Sequence, residues 1–184
     1  MHAGAEVHVT AEAAAVAAAD GVVLPGVGAF GAALDALDAR GLRGPVLAVA
    51  AGGRPLLGIC LGYQLLFDWS DESGGRAGLG LLPGRITRLG RERGKVPHMG
   101  WNRLTVRRPS RVLAGIRDGS AVYFVHSYAA TGVPDDALVA TTDHGGELAA
   151  VVERGNVAGT QFHPEKSGAD GLRLYAGFVA ACSD

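Results

Sequence analysis

The chain has 184 residues, of which 48% are hydrophobic and 19% charged, and its formal net charge is −1. The apolar content excludes a disordered chain, and the near-neutral charge gives no electrostatic reason to expect nucleic acid or a membrane as partner. Two cysteines are too few for a disulfide framework, so we expect a reducing, cytoplasmic setting.

The first seventy residues alternate strand and helix patterns. The strand patterns cover residues 6–10, exposed on one side, and residues 21–24 and 55–59, both buried on two faces. The helix patterns cover an Ala-rich run at 11–19, a stripe formed by Leu34, Leu37 and Leu42, and a segment at about 62–69. This order predicts a parallel α/β sheet with right-handed crossovers.

After residue 80 the segments are strand-like and are joined by Gly, Pro and Asp turns. They cover residues 85–89, 103–106, 122–125, 138–141 and 148–152, followed by a buried strand at 157–162 and a helix at 171–182. We expect antiparallel strands that extend or flank the parallel sheet. We also expect one domain over residues 1–184, because no linker or internal repeat interrupts the sequence.

A cysteine stands between a buried strand and a helix, in Leu-Gly-Ile-Cys-Leu-Gly-Tyr-Gln at residues 57–64. Glycines lie two residues before and two residues after Cys60, as in a nucleophile elbow, where the sharp turn leaves no room for β-carbons. A position at a helix N-terminus favours the thiolate. A buried, inert cysteine is the alternative, but the flanking glycines favour a nucleophile.

A cysteine nucleophile requires a histidine, and His163 is the best placed of the six in the chain. It follows the strand at 157–162, and Pro164 holds it extended, so that Glu165 points to the same side. Cys60, His163 and Glu165 then form a triad in which the carboxylate orients the imidazole. Without Cys60, the same residues indicate only a turn at a strand end.

A third motif, Pro-Gly-Val-Gly-Ala-Phe at residues 25–30, follows the first buried strand. Gly26 and Gly28 on either side of Val27 allow peptide N–H groups to face an oxyanion. A phosphate-binding nest and a plain strand-to-helix turn stay open as alternatives, whereas the Lys-Ser/Thr ending of a P-loop is absent.

Together these motifs resemble those of the class I, triad-type glutamine amidotransferases. Lys-Val-Pro-His-Met-Gly-Trp-Asn at 95–102 and Tyr-Phe-Val-His-Ser-Tyr at 123–128 narrow the resemblance to the glutaminase subunits of imidazole glycerol phosphate synthase. The resemblance implies a flavodoxin-like α/β fold, a mixed, mainly parallel sheet flanked by helices with added antiparallel strands. It also implies hydrolysis of L-glutamine to glutamate and ammonia, and use of the ammonia by a (β/α)8-barrel cyclase in histidine biosynthesis.

The resemblance assigns roles by motif match. Cys60 is the nucleophile, His163 the general base and acid, and Glu165 the orienting carboxylate. The oxyanion site is formed by the N–H of Leu61 and one from Gly26, Val27 and Gly28; the residues implied to hold glutamine are Gln64, Glu72, His126, Ser127 and Tyr128. An exposed helix face is the alternative for Gln64 and Glu72. No cofactor or metal is implied.

Other matched positions are implied to meet the cyclase in a heterodimer: Pro97, His98, Met99, Trp101, Asn102, Tyr123 and Lys166. A core aromatic is the alternative for Trp101, and a solvated charge for Lys166. Nine basic residues between Arg85 and Arg111 stand against one acid, Glu92, and form either a solvated face or a surface for an acidic partner. A nucleic-acid surface is disfavoured, since no aromatic pattern accompanies the charges.

The start of the sequence departs from the family, whose members open with a central strand, a Gly-rich turn ending in Asn, and a first helix. Here Met1-His2-Ala3-Gly4 leads straight into the segment that resembles the family's second strand. We therefore expect roughly thirty residues, one βα unit, to be missing. An internal start codon is the favoured explanation; a truncated chain and a degraded relative stay open.

Two other functions stay open. A free-standing cysteine hydrolase of γ-glutamyl bonds needs no partner, and the aromatic loop at 97–102 argues against it. A catalytically impaired, truncated relative is the second, and aggregation or failure to bind the cyclase would support it.

Overall fold

A computed structural model describes residues 4–183. The helices are α1 Ala13–Ala18, α2 Phe30–Ala39, α3 Arg43–Ala51, α4 Leu61–Leu65 and α5 Gly168–Ala181. The strands are β1 Val22–Gly26, β2 Leu56–Cys60, β3 Phe67–Ser70, β4 Arg76–Ala77, β5 Leu82–Arg88, β6 His98–Arg103, β7 Thr105–Val106, β8 Ala121–His126, β9 Tyr128–Thr131, β10 Leu138–Asp143, β11 Glu147–Arg154 and β12 Val157–Thr160. Short 3-10 turns cover Glu72–Gly74, Arg91–Arg93 and Pro164–Lys166.

The strands form three sheets. The largest has six strands in the order β1-β2-β12-β11-β10-β7, a second has the order β4-β3-β5-β9, and β6 pairs with β8. In the six-stranded sheet β2 is parallel to both β1 and β12, whereas β11, β10 and β7 continue it in antiparallel fashion. The expected α/β architecture, a parallel sheet extended by antiparallel strands, is therefore confirmed.

Two apolar cores cover the two faces of this sheet. Along β2, Leu56 belongs to the core that contains α2 and α3, and Leu57 to the core that contains α5. Val152 and Val151 of β11 divide in the same way. Because successive side chains of a strand point to opposite faces, this alternation shows a sheet buried between two layers.

Some local predictions were wrong. Residues 6–10 form no strand, and Val9 is fully exposed because nothing in the described chain pairs with this segment. β1 is half-buried, not buried on both faces, since it pairs only with β2 within residues 4–183 and Val23 remains 37% exposed. The helix predicted over 62–69 ends at Leu65, and Phe67–Ser70 forms β3 between β4 and β5. Helix α3 was not predicted.

Within residues 4–183, no helix has the length and apolar character needed to cross a bilayer. Met1, His2 and Ala3 lie outside the described residues, and the expectation that a first βα unit is missing stays a prediction.

Candidate active site

Parallel pairing brings the ends of three motif-bearing strands together. Gly26, the last residue of β1, is the register partner of Cys60, the last residue of β2. Thr160, the last residue of β12, is the partner of Ile59. Because parallel strands end at the same edge of a sheet, the loops that follow them form one crevice there.

The turn at Cys60 has the geometry of a strained elbow. Cys60 has φ 54° and ψ −109°, although it is not a glycine. A β-carbon at Gly58 would lie 2.7 Å from the Tyr63 Cα, and one at Gly62 would lie 1.8 Å from the Leu24 carbonyl oxygen. Glycine at both positions is thus required by the close approach of β1 and α4 to the turn.

The thiol of Cys60 is held protonated at rest. Burial raises its pKa to about 11, and this outweighs the opposing effect of the Leu61 backbone N–H. The N–H of Leu61 at the start of α4 favours the thiolate, as expected, but burial has the larger effect on the pKa. A base is therefore needed to take the thiol proton when the sulfur reacts.

His163 is oriented by Glu165. The Nδ1 of His163 lies 2.6 Å from a carboxylate oxygen of Glu165 and donates its proton to it. The other ring nitrogen, Nε2, is then an acceptor. Nε2 is buried and has no hydrogen-bond partner among the described residues, which is rare for a buried polar atom. This arrangement gives a base with an unused lone pair.

The backbone of His163 is fixed by contacts that the sequence did not predict. The His163 N–H donates to the Tyr123 carbonyl at 2.9 Å, and the Ser167 hydroxyl donates to the His163 carbonyl at 2.6 Å. Ser167 also accepts the N–H of Tyr123 at 3.0 Å, so it joins β8 to the segment that carries the base. Its only sequence signal is its position four residues after His163.

A cavity of about 480 Å³ opens beside the elbow. Apart from Val125, every residue that lines it was singled out from the sequence: Val27, Gly28, Cys60, Leu61, Gln64, Glu72, Pro97, His126, Ser127, Tyr128, His163 and Lys166. The five positions implied to hold glutamine therefore lie around the same space as the sulfur and the imidazole.

Gln64 is buried and is not part of an exposed helix face. Its Nε2 donates to the Tyr128 carbonyl and to Oε1 of Gln161, each at 3.0 Å. Both of its amide protons are thus used inside the protein, and its carbonyl oxygen is the group that remains to accept a hydrogen bond from a ligand.

Glu72 connects the cavity to the loop at 26–30. Its Oε2 accepts the backbone N–H of Phe30 at 2.7 Å, the first residue of α2. Ala29, which precedes this helix, has no side-chain acceptor, so Glu72 serves an otherwise unpaired N–H from a distant part of the chain.

The residues implied to face a partner divide into two groups. Met99 and Trp101 are 58% and 60% exposed, and Trp101 packs edge-on against Tyr123. Lys166 places its Nζ 5.6 Å from the Tyr123 ring centre. His98, in contrast, is only 3% exposed and faces inward to His126, so it does not lie on the surface of this chain.

The basic stretch between Arg85 and Arg111 is partly neutralised within the chain. Arg85 pairs with Asp71, Arg107 with Glu147 and Arg108 with Glu153. These pairs reduce the charge available for a partner, and they favour the interpretation of a solvated face. In the described part of the chain, no group of three or more His, Cys, Asp or Glu side chains is arranged to hold a metal ion.

Residues 2–180 match the family model of the class-I glutamine amidotransferases, and the chain belongs to this family. Among curated relatives, the imidazole glycerol phosphate synthase subunit HisH of Syntrophotalea carbinolica is 50% identical over 95% of this chain and 88% of the relative. The HisH subunit of Natronomonas pharaonis is 51% identical over 98% of this chain and 85% of the relative. The expected enzyme class, a glutamine amidotransferase subunit of the imidazole glycerol phosphate synthase type, is confirmed.

Solved structures share the fold at lower identity. A structure described as a glutamine amidotransferase superposes with a TM-score of 0.76 at 18% identity, over 98% of this chain and 88% of the other. The glutaminase domain of CTPS from Trypanosoma brucei gives a TM-score of 0.67 at 19% identity, over 93% and 74% of the two chains. These similarities show the class I glutamine amidotransferase fold.

Proposed function

We propose that this protein hydrolyses glutamine with Cys60, His163 and Glu165, as the ammonia-producing subunit of an imidazole glycerol phosphate synthase in histidine biosynthesis. The observation that carries the triad is the buried Nε2 of His163, which has no partner within residues 4–183 and lies at the cavity that Cys60 also lines. The family match and the HisH relatives support the substrate and the assembly.

The reaction begins when His163 Nε2 takes the thiol proton of Cys60. The sulfur then attacks the carboxamide carbon of glutamine, and His163 returns the proton to the leaving nitrogen, which departs as ammonia. Water, deprotonated by His163, cleaves the resulting thioester to glutamate and the free thiol. The Glu165 carboxylate stabilises the imidazolium that forms in each half of the reaction.

The oxyanion of each tetrahedral intermediate is stabilised by the N–H of Leu61 and by one from the segment Gly26-Val27-Gly28. Val27 is 81% exposed, and Gly28 has φ 97° with open space where a β-carbon would lie. The peptide between them can therefore turn at little steric cost. This freedom supports an oxyanion site that is completed only when a partner binds.

The partner in this proposal is a (β/α)8-barrel cyclase that binds at Pro97, Met99, Trp101, Asn102, Tyr123 and Lys166 and receives the ammonia. The exposed Met99 and Trp101 support a docking surface, since exposed aromatic anchors are typical of interfaces. Pro97 and Lys166 also line the cavity, so this surface is continuous with the site. The proposal includes one domain over residues 1–184 and a cytoplasmic setting, which the two free cysteines support.

The test measures glutamate formation in the complex with the cyclase, in the presence of the phosphoribulosyl nucleotide on which the cyclase is expected to act. Cys60→Ala is expected to reduce the rate at least about a thousandfold. Cys182→Ala is the matched control, because Cys182 also has a free thiol but lies at the end of α5, away from the cavity, and this variant is expected to retain the rate. A Cys60→Ala complex that retains glutaminase activity would refute the triad.

Activity of the chain without the cyclase separates this function from that of a free-standing γ-glutamyl hydrolase. We expect negligible glutamate formation by the chain alone. Full turnover without a partner would favour the free-standing enzyme instead.

A further inference from the structure

A continuous chain of hydrogen bonds runs from the Cys60 sulfur to strand β6. Gln161 Nε2 lies 4.0 Å from the Cys60 Sγ, and Gln161 Oε1 accepts from Gln64 Nε2 at 3.0 Å. Gln64 Nε2 also donates to the Tyr128 carbonyl at 3.0 Å, which accepts from His126 Nδ1 at 2.8 Å. The triad mechanism uses neither Gln161 nor this connection.

The Tyr128 carbonyl fixes the direction of every bond on the sulfur side. A carbonyl oxygen only accepts, so the amide nitrogen of Gln64 must face it. The same nitrogen faces Gln161, which must therefore present its oxygen to Gln64. It follows that Gln161 presents its N–H group, and not its oxygen, to the Cys60 sulfur.

The chain continues beyond the Tyr128 carbonyl through two neutral histidines. Because His126 donates from Nδ1, its Nε2 carries a lone pair, which accepts from His98 Nδ1 at 2.9 Å. His98 Nε2 is then an acceptor, and Asn102 Nδ2 lies 3.4 Å from it. A proton added to either ring would place two donors face to face.

Burial keeps this histidine pair neutral. It lowers the pKa of His98 to about 4 and that of His126 to about 3. The ionisable groups that face His126 from the surrounding elements are His98, His144 and His163, and a positive charge on any of them would disfavour protonation of His126 further. The hydrogen-bond directions are therefore the same throughout the neutral pH range.

We infer that Gln161 is a positioning residue that directs an N–H group at the Cys60 sulfur, and that the chain through Gln64, Tyr128, His126 and His98 connects this contact to β6. Gln161 is 1% exposed and Cys60 is 7% exposed, so no bulk water competes for the sulfur at this side. An N–H group directed at the sulfur stabilises the thiolate more than the thiol. β6 also carries Trp101, so the surface proposed to bind the cyclase is hydrogen-bonded through to the nucleophile.

This inference rests on the proposed nucleophile but is tested by a separate measurement, the rate of Cys60 alkylation by iodoacetamide at pH 8. All variants carry Cys182→Ala, so that Cys60 is the cysteine that iodoacetamide can alkylate. Gln161→Met keeps the side-chain shape and removes the N–H, and Gln161→Glu keeps the acceptor for Gln64 and removes the N–H. Each variant is expected to slow alkylation about tenfold, because a rise of about one unit in the pKa of the thiol reduces the thiolate population tenfold at this pH.

Thr160→Val is the matched control for loss of a buried polar group at the same strand end, because the Thr160 hydroxyl bonds to the Phe162 carbonyl and not to the sulfur. It is expected to leave the alkylation rate unchanged. Folding of each variant is checked by urea unfolding. Wild-type alkylation in either folded Gln161 variant overturns the role of its N–H.

The far end of the chain is tested with His98→Leu, which removes the donor to His126. We expect alkylation to slow about threefold, since the Tyr128 carbonyl is then less firmly held. His144→Gln is the control: the His144 ring stacks on the His98 ring, but its Nε2 bonds to the Lys95 carbonyl and not to His98. An unchanged rate in His98→Leu overturns the link to β6. Glutaminase activity in Cys60→Ala, in contrast, refutes only the proposed function.

Discussion

Acidification from pH 7 to pH 5 is expected to destabilise the folded chain through the buried pair His98 and His126. Their pKa values fall from 6.5 to about 4 and about 3, because burial disfavours the charged imidazolium. Below pH 6.5 the unfolded chain therefore binds protons that the folded chain does not, and stability falls with the pH until the folded pKa values are reached. At about 1.5 pH units below 6.5, the loss is about 2 kcal/mol for each histidine.

Together the two histidines are expected to lower the free energy of unfolding by about 4 kcal/mol at pH 5. This is a large share of the roughly 5–15 kcal/mol that stabilises a typical domain. The assay is urea unfolding at pH 7, 6 and 5, compared between the wild type and the double variant His98→Asn/His126→Asn. The double variant is expected to lose about 4 kcal/mol less than the wild type over this range. His8→Asn is the control, because His8 is 74% exposed and is expected to leave the pH dependence unchanged. Equal pH dependence in wild type and double variant would refute the neutral pair.

Three further outcomes are expected. The alkylation rate of Cys60 rises about tenfold per pH unit between pH 7 and pH 10, since its pKa is about 11, and a plateau near pH 8 would contradict this. Gly62→Ala is expected to destabilise the protein by about 3 kcal/mol or to prevent folding, because the new β-carbon would lie 1.8 Å from a backbone carbonyl oxygen. Gly44→Ala, on the open side of α3, is expected to stabilise the protein by about 0.5 kcal/mol. Urea unfolding measures both variants. Trp101→Ala changes stability by less than about 1 kcal/mol but weakens cyclase binding about thirtyfold in calorimetry, and wild-type affinity would exclude this surface.

The sequence predicts elements best where the pattern is local. A strand over 55–59 was predicted because its apolar and small residues end at a glycine-flanked turn. The structure places β2 one residue later, at Leu56–Cys60, and buries all five of its residues. The prediction of a helix over 62–69, after the elbow, was wrong because the apolar run at 65–67 is equally compatible with a helix and with a strand. Tertiary contacts make this segment a strand, because Phe67 pairs with Leu82 of β5, which is distant in the sequence.

Helix α3 was missed for a different reason. Arg43–Ala51 contains a proline at its third position and few polar residues, so it resembles an apolar loop. The spacing of Val46, Val49 and Ala50, all buried, and the proline within the first turn are the signals that indicate a helix.

In the candidate site, too, some residues are predictable from local sequence patterns and others depend on tertiary contacts. Val27, Cys60 and His163 each lie at or just after the end of a strand, and a parallel sheet brings such positions to one edge whatever the details of the loops. Gln161 carries no comparable signal, because its partner Gln64 and the Tyr128 carbonyl come from α4 and from the start of β9. Only the folded arrangement shows that the carbonyl of Tyr128 sets the direction in which Gln161 presents its N–H group. A sequence motif can therefore identify the reacting groups here, but the side chain that orients them depends on hydrogen bonds between residues up to 101 positions apart.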